Sequence, residues 1–109
     1  MFKSQYCIVM TTTGSEPEAD QLAKMLVSEQ LAACVQIMPI TSTYTWQASL
    51  HHDTEWLLLI KTRSDLFLQI EAAILKQHSY DVPEIIQLPM NRGYQAYLQW
   101  IDETTGAGD

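Results

Sequence analysis

The sequence predicts an α+β fold, a ferredoxin-like βαββαβ sandwich with an additional C-terminal helix. Two observations carry this. The apolar residues switch between period 2 and period 3.6 in the order strand, helix, strand, strand, helix, strand, helix. That order is the split βαβ pattern, in which right-handed crossovers put both main helices on one side of an antiparallel sheet. A chain of 109 residues has room for one such domain. Residues 1–103 are read as that domain and 104–109 as a flexible C-terminal tail.

The first strand runs from Gln5 to Thr12. Tyr6, Ile8 and Met10 face one way and Cys7, Val9 and Thr11 the other, and both sets are mostly apolar, as in a central strand. Gly14 ends it. Ser15 and Glu18 then form an S-x-x-E capping box, with Pro17 in the first turn. Ala19, Leu22, Ala23, Leu26 and Val27 follow on one helical face.

From Leu31 the chain is extended again. Ala33, Val35 and Ile37 alternate with Cys34, Gln36 and Met38, and Pro39 implies a bend, a bulge or an edge. Thr41–Thr45 resumes the strand, with Tyr44 and Trp46 on one face. A turn over Gln47–Asp53 leads into Thr54–Thr62, and the two runs should pair as a hairpin. Ser64–Asp65 caps a second helix carrying Leu66, Phe67, Ile70, Ala73 and Ile74. A short strand from Glu84 to Leu88 closes at Pro89. Gly93 precedes a last helix with Tyr94, Tyr97, Leu98 and Ile101 at helical spacing.

Composition narrows the function. The 47% hydrophobic fraction excludes a disordered chain, while 17% charged residues is low for a free monomer. One face of the sheet carries either Leu57 and Leu59 or their alternating partners, and an uncovered apolar sheet face marks an interaction surface. A homo-oligomer is therefore expected, with Tyr44, Trp46, Trp56, Leu57, Leu59 and Trp100 at its interface. The net charge of −7 disfavours nucleic acid, whose binding needs a basic stripe. No apolar run approaches the roughly 20 residues of a membrane span, and no targeting segment is visible, so a cytoplasmic protein is expected. Cys7 and Cys34 are too few for a disulfide scaffold and are read as reduced, packed thiols. They lack the local spacing of a zinc site.

No nucleophile elbow, P-loop or H-E-x-x-H motif is present, so an enzyme is not expected. His51–His52 are adjacent on an extended segment and cannot easily grip one ion. His78 closes a helix just before Tyr80, Asp81 and Glu84, and Lys61 ends the longest apolar strand. Lys61, His78, Tyr80 and Glu84 bring a cation, a titratable ring, a phenol and a carboxylate to a candidate ligand cleft near the subunit boundary. The alternative function is binding of a small anionic or polar metabolite in that intersubunit cleft, which could extend to an enzymatic activity. His78 is its candidate metal contact.

The stretch Leu31-Ala32-Ala33-Cys34-Val35-Gln36-Ile37, followed by Tyr44-Thr45-Trp46, resembles the second strand of the CutA divalent-ion tolerance family. Leu58-Leu59-Ile60-Lys61-Thr62, the run from His78 to Pro89 and Gly93…Tyr97-Leu98-Gln99-Trp100-Ile101 are similar to it too. The resemblance spans about Gln5 to Asp102. It implies a trimeric, PII-like assembly and a role in tolerance of copper and other divalent ions, with weakly bound Cu²⁺ or another divalent cation and no obligatory cofactor. The family's copper ligands are a cysteine late in the first strand and two adjacent histidines. Here those positions read Thr11 and Gln77-His78, so only His78 is kept. A tight Cu(I) site without that thiolate is disfavoured.

Overall fold

The computed structural model describes residues 4–106. Four strands form one antiparallel sheet: β1 (Tyr6–Thr13), β2 (Cys34–Trp46), β3 (Ser49–Arg63) and β4 (Ile85–Met90), in the order β2-β3-β1-β4. Three α-helices accompany them: α1 (Glu16–Ser28), α2 (Phe67–Gln77), entered through a 3-10 turn at Ser64–Leu66, and α3 (Gln95–Thr104).

Alternation along the strands builds two different faces. Cys7 and Val9 of β1 and Leu58 and Ile60 of β3 point to one side, where Leu22 and Leu26 of α1 and Ile70 and Ile74 of α2 bury them. This is the core, and it explains why α1 and α2 are helices whose apolar residues recur every turn. Thr11 also points into it. Its hydroxyl is fully buried without a hydrogen-bond partner among the described residues, a costly placement for a polar group. Thr11→Val keeps the shape and removes that cost, so it should raise stability by about 1 kcal/mol, read as a higher urea midpoint at unchanged slope.

The second face carries Ile8, Met10, Leu57, Leu59, Met38, Ile86 and Leu88, by register. Met38, Ile86 and Leu88 are exposed and Leu57 and Leu59 half-buried. Helix α3 crosses this face at one end only. There the Tyr6 hydroxyl donates to Asp102 at 2.6 Å, and Arg63 donates to the Thr105 hydroxyl at 2.9 Å. Gly93 lets α3 approach, since a β-carbon there would stand 2.8 Å from Leu98.

Several boundaries differ from expectation. The β2–β3 turn is two residues, Gln47 and Ala48, both with left-handed φ of 51° and 64°, rather than a loop reaching Asp53. The hairpin arm is consequently long: β1 begins to pair only at Trp56, and the residue pairs from Thr41↔Thr54 to Trp46↔Ser49 have no third strand beside them. Pro39 lies on an edge strand, where its missing donor is harmless. Pro89 does not close β4 but sits inside it, because β4 is the other edge. The tail expected from residue 104 does not begin as a loose segment. Thr104 is helical and Thr105 is 95% buried against Arg63, while residues 107–109 lie outside the described residues.

The two cysteines cannot meet. Cys7 pairs with Thr62 and Cys34 with Lys61, on opposite faces of the sheet and with β3 between their strands. Both are free, and burial pushes the Cys7 thiol up, which makes it inert.

Candidate functional site

The segment between α2 and β4 wraps over the end of β1 and is pinned there by three side chains. His78 is the C-terminal cap of α2, and its ring is wholly buried. Its Nδ1 lies 3.0 Å from the Tyr80 backbone nitrogen and its Nε2 lies 2.7 Å from the Thr12 carbonyl. A backbone N–H can only donate, so Nδ1 accepts and Nε2 carries the proton given to Thr12: the ring is the neutral tautomer with both nitrogens occupied. Glu18 fixes the next residue. Its carboxylate accepts from the Ser79 N–H at 2.9 Å and from the Ser79 hydroxyl at 3.0 Å. The capping box of α1 is thus only half formed. Ser15 accepts from the Glu18 N–H, but the Glu18 side chain serves this loop instead of reaching back.

The third pin is Tyr80. Its hydroxyl donates to Glu55 at 2.7 Å, and Glu55, on the second face of β3, is only 7% exposed. Gly14 makes room for the phenol, since a β-carbon at Gly14 would lie 3.1 Å from its oxygen. Burial, and after it the hydrogen bond to the Glu55 carboxylate, pushes the Tyr80 phenol far above its ordinary value of 10.0. The folded protein therefore holds this proton more tightly than the unfolded chain does. The pair's contribution to stability is fully present below that ordinary value and is lost as pH climbs toward the raised one. Wild-type urea midpoints should consequently fall more steeply above about pH 10 than those of Tyr80→Phe.

Between this loop and the hairpin arm lies an open groove of about 630 Å³, lined by Thr12, Ser42, Thr43, Tyr44, Trp46, Glu55, Tyr80, Asp81, Val82 and Glu84. Among the described residues its charged lining is Glu55, Asp81 and Glu84, with no lysine, arginine or histidine. The Tyr44 hydroxyl donates to Asp53 at 2.7 Å while its ring stacks on His51, with centroids 5.3 Å apart, which fixes one wall.

Of the expected cleft, Tyr80 and Glu84 line the groove and two residues do not. Lys61 faces Ile8 and Cys34, six residues along β3 from Glu55 or roughly 20 Å at strand rise, and its ammonium donates to Gln36. His78 stands behind the groove as a loop pin, with no free nitrogen for a metal. Within a single chain Lys61 is therefore remote from the groove, whose charged lining among the described residues is carboxylate, whereas the expected cleft at the subunit boundary would draw on two chains. Glu55 escaped sequence reading because strand alternation alone does not reveal which face a loop will cover.

The expected interface residues divide between the faces. Leu57, Leu59, Tyr44 and Trp46 are on the second face by register, and Trp100 is an exposed residue of α3 with its ring tilted against that of Tyr97. Trp56 is on the helix side, packed against the core with its indole donating to Glu16 at 3.2 Å. His51 and His52 lie on paired strand positions opposite Tyr44 and Thr43, not in a turn. No group of three or more His, Cys, Asp or Glu among the described residues is gathered to hold a metal ion.

Fold and site together define a small antiparallel α+β protein with one incompletely covered apolar sheet face and an acidic, aromatic groove at its end. The chain belongs to the CutA1 divalent ion tolerance protein family, whose sequence pattern matches residues 7–104. It is 45% identical over 100 residues to the divalent-cation tolerance protein CutA of Thermus thermophilus, covering 91% of this chain and 97% of that one. Among solved structures, CutA of Archaeoglobus fulgidus, described as a periplasmic divalent cation tolerance protein, superposes with a TM-score of 0.90 at 38% identity. The match covers 92% of this chain and 98% of that one. CutA1 of the psychrotrophic bacterium Shewanella sp. SIB1 superposes with a TM-score of 0.92 at 32% identity, over 99% of this chain and 100% of the other. The Thermus thermophilus and Archaeoglobus fulgidus relatives are named as tolerance proteins rather than as enzymes.

Proposed function

We propose that this is a homotrimeric, ferredoxin-like cytoplasmic protein that serves divalent-cation tolerance by weak cation binding and interaction rather than by catalysis. The observation that carries the cation reading is the groove, whose charged lining is entirely carboxylate in a chain of net charge −7. Binding is weak because three or four ligands of matched softness, which a tight site needs, are not gathered in one place among the described residues. The trimer is supported by the apolar second face and the long hairpin arm, which present more surface than one chain covers. Strand order β2-β3-β1-β4 supports the ferredoxin-like assignment. Free, separated thiols suit a reducing compartment.

Calorimetric titration with Cu²⁺ tests the site. Wild type should bind weakly, and Glu84→Gln should weaken the affinity several-fold by removing a groove carboxylate. Gln77→Ala and Thr11→Ala should leave it unchanged, since neither residue lines the groove. Identical isotherms for wild type and Glu84→Gln would remove the groove from metal binding.

A further inference from the structure

The loop between α2 and β4 is held by a ring that makes its present bonds only while it is neutral. We propose that His78 is an acid-operated latch. On taking a second proton it keeps Thr12, passes from the Tyr80 amide to the Glu18 carboxylate, and releases the loop. The latch does not depend on what occupies the groove.

Geometry gives the ring two fixed duties. Nε2–H donates to the Thr12 carbonyl at 2.7 Å, and Nδ1 accepts from the Tyr80 N–H at 3.0 Å. An imidazolium carries hydrogen on both nitrogens and accepts nothing. The first bond therefore survives protonation, whereas the second becomes two N–H groups aimed at each other. Another acceptor already stands beside the ring. A Glu18 carboxylate oxygen lies 3.8 Å from Nδ1. A shift of about 1 Å would make that a charge-assisted hydrogen bond. The same carboxylate now accepts from the Ser79 N–H and hydroxyl, so its turn toward the ring loosens Ser79 as well as Tyr80.

The groups packed around the ring admit the added charge. Helix α1 supplies Glu18, and α2 ends on His78 with the negative pole of its dipole. Lys76, in the last turn of α2, is exposed. Strand β1 presents the Thr12 carbonyl. The Tyr80 ring lies 4.8 Å away between centroids, and Glu55 of β3 holds its phenol. Opposing the charge is the complete burial of the ring. Asp81, Val82 and Glu84 ride on this loop and line the groove, so the latch sets the position of one groove wall.

Nuclear magnetic resonance of the ¹⁵N-labelled full chain in its solution assembly is the test. The Tyr80 N–H···Nδ1 bond transmits a ¹⁵N–¹⁵N coupling that exists only while the bond is formed. It should be present at about pH 8 and gone by about pH 5, a span that crosses the ordinary imidazole value of about 6.5. Its loss should track the His78 ring signals, with the Asp81 and Val82 amides gaining fast motion while buried Leu22 stays rigid. A coupling that persists at the acid end would overturn the latch. So would simultaneous loss of the Leu22 signal, which means acid unfolding of the whole chain. Glu18→Gln removes the charged acceptor and should carry the coupling to lower pH than wild type. Loss at the same pH in both proteins would overturn the transfer to Glu18. If that variant does not fold, the wild-type titration decides by itself.

Discussion

Leu57→Asp is expected to turn the assembled protein into monomers while each chain keeps its fold. Leu57 sits mid-strand on the second sheet face, opposite Thr12 on one side and Met38 on the other, and it is half-buried within the single chain. Its side chain takes no place in the core, which Leu58 and Ile60 fill from the other face. A carboxylate at Leu57 therefore costs the isolated chain little, but in an assembly it would be an unpaired charge removed from water. That penalty runs to several kcal/mol per ion, repeated at every subunit contact. Permanent assemblies bury more than ~2,000 Å², most of it apolar, and cannot absorb it. Sedimentation at low micromolar concentration should report three chains per particle for wild type and one for the variant, with matching far-ultraviolet dichroism. A wild-type protein that is already monomeric on dilution would end the trimer proposal.

His78→Ala is the second large effect, and it falls on stability rather than on binding. The substitution empties a fully buried site and strands two backbone groups, the Tyr80 N–H and the Thr12 carbonyl, that the ring now satisfies. Lost packing and unpaired polar groups together should cost roughly 2–4 kcal/mol in urea denaturation. The Tyr80–Glu55 contact is carried on the same loop, so the steep alkaline loss of stability should flatten in this variant too. Per folded chain, however, Cu²⁺ uptake should persist, because neither ring nitrogen is free to ligate. If uptake vanished while the folded fraction stayed intact, His78 would be a ligand after all.

The candidate site was legible in part. Tyr80 and Glu84 could be picked from sequence because a cluster of polar groups follows a helix end, a place where side chains gather around a turn. Lys61 could not be placed. Its position at the end of an apolar strand is compatible with either end of the sheet, and only the register with Ile8 and Cys34 sets it far from the groove. Glu55 left no signal beyond one carboxylate in a strand, since its burial comes from a loop that is distant in sequence. The sharp turn at Gln47–Ala48 was hidden for another reason. Left-handed backbone is normally announced by glycine or asparagine, and here neither is present, so the expected turn was drawn too long.

What the sequence determined by itself was the set of elements and the buried stripe of the helices. Apolar residues at period 3.6 mark one face per helix, and Leu22, Leu26, Ile70 and Ile74 lie on it. Both alternating sets of β3 are apolar, and only the structure decided that Leu58 and Ile60 face the core. The tertiary structure alone decided which face of the sheet α3 would cross, which groups would meet at the end of β1, and that His78 would become a buried pin while Glu55 entered the groove. Those outcomes depend on register and on long-range hydrogen bonds such as Tyr80 to Glu55 and His78 to Thr12. Local periodicity fixes a side chain's direction from its own strand or helix, but not the partner that the rest of the chain brings to it.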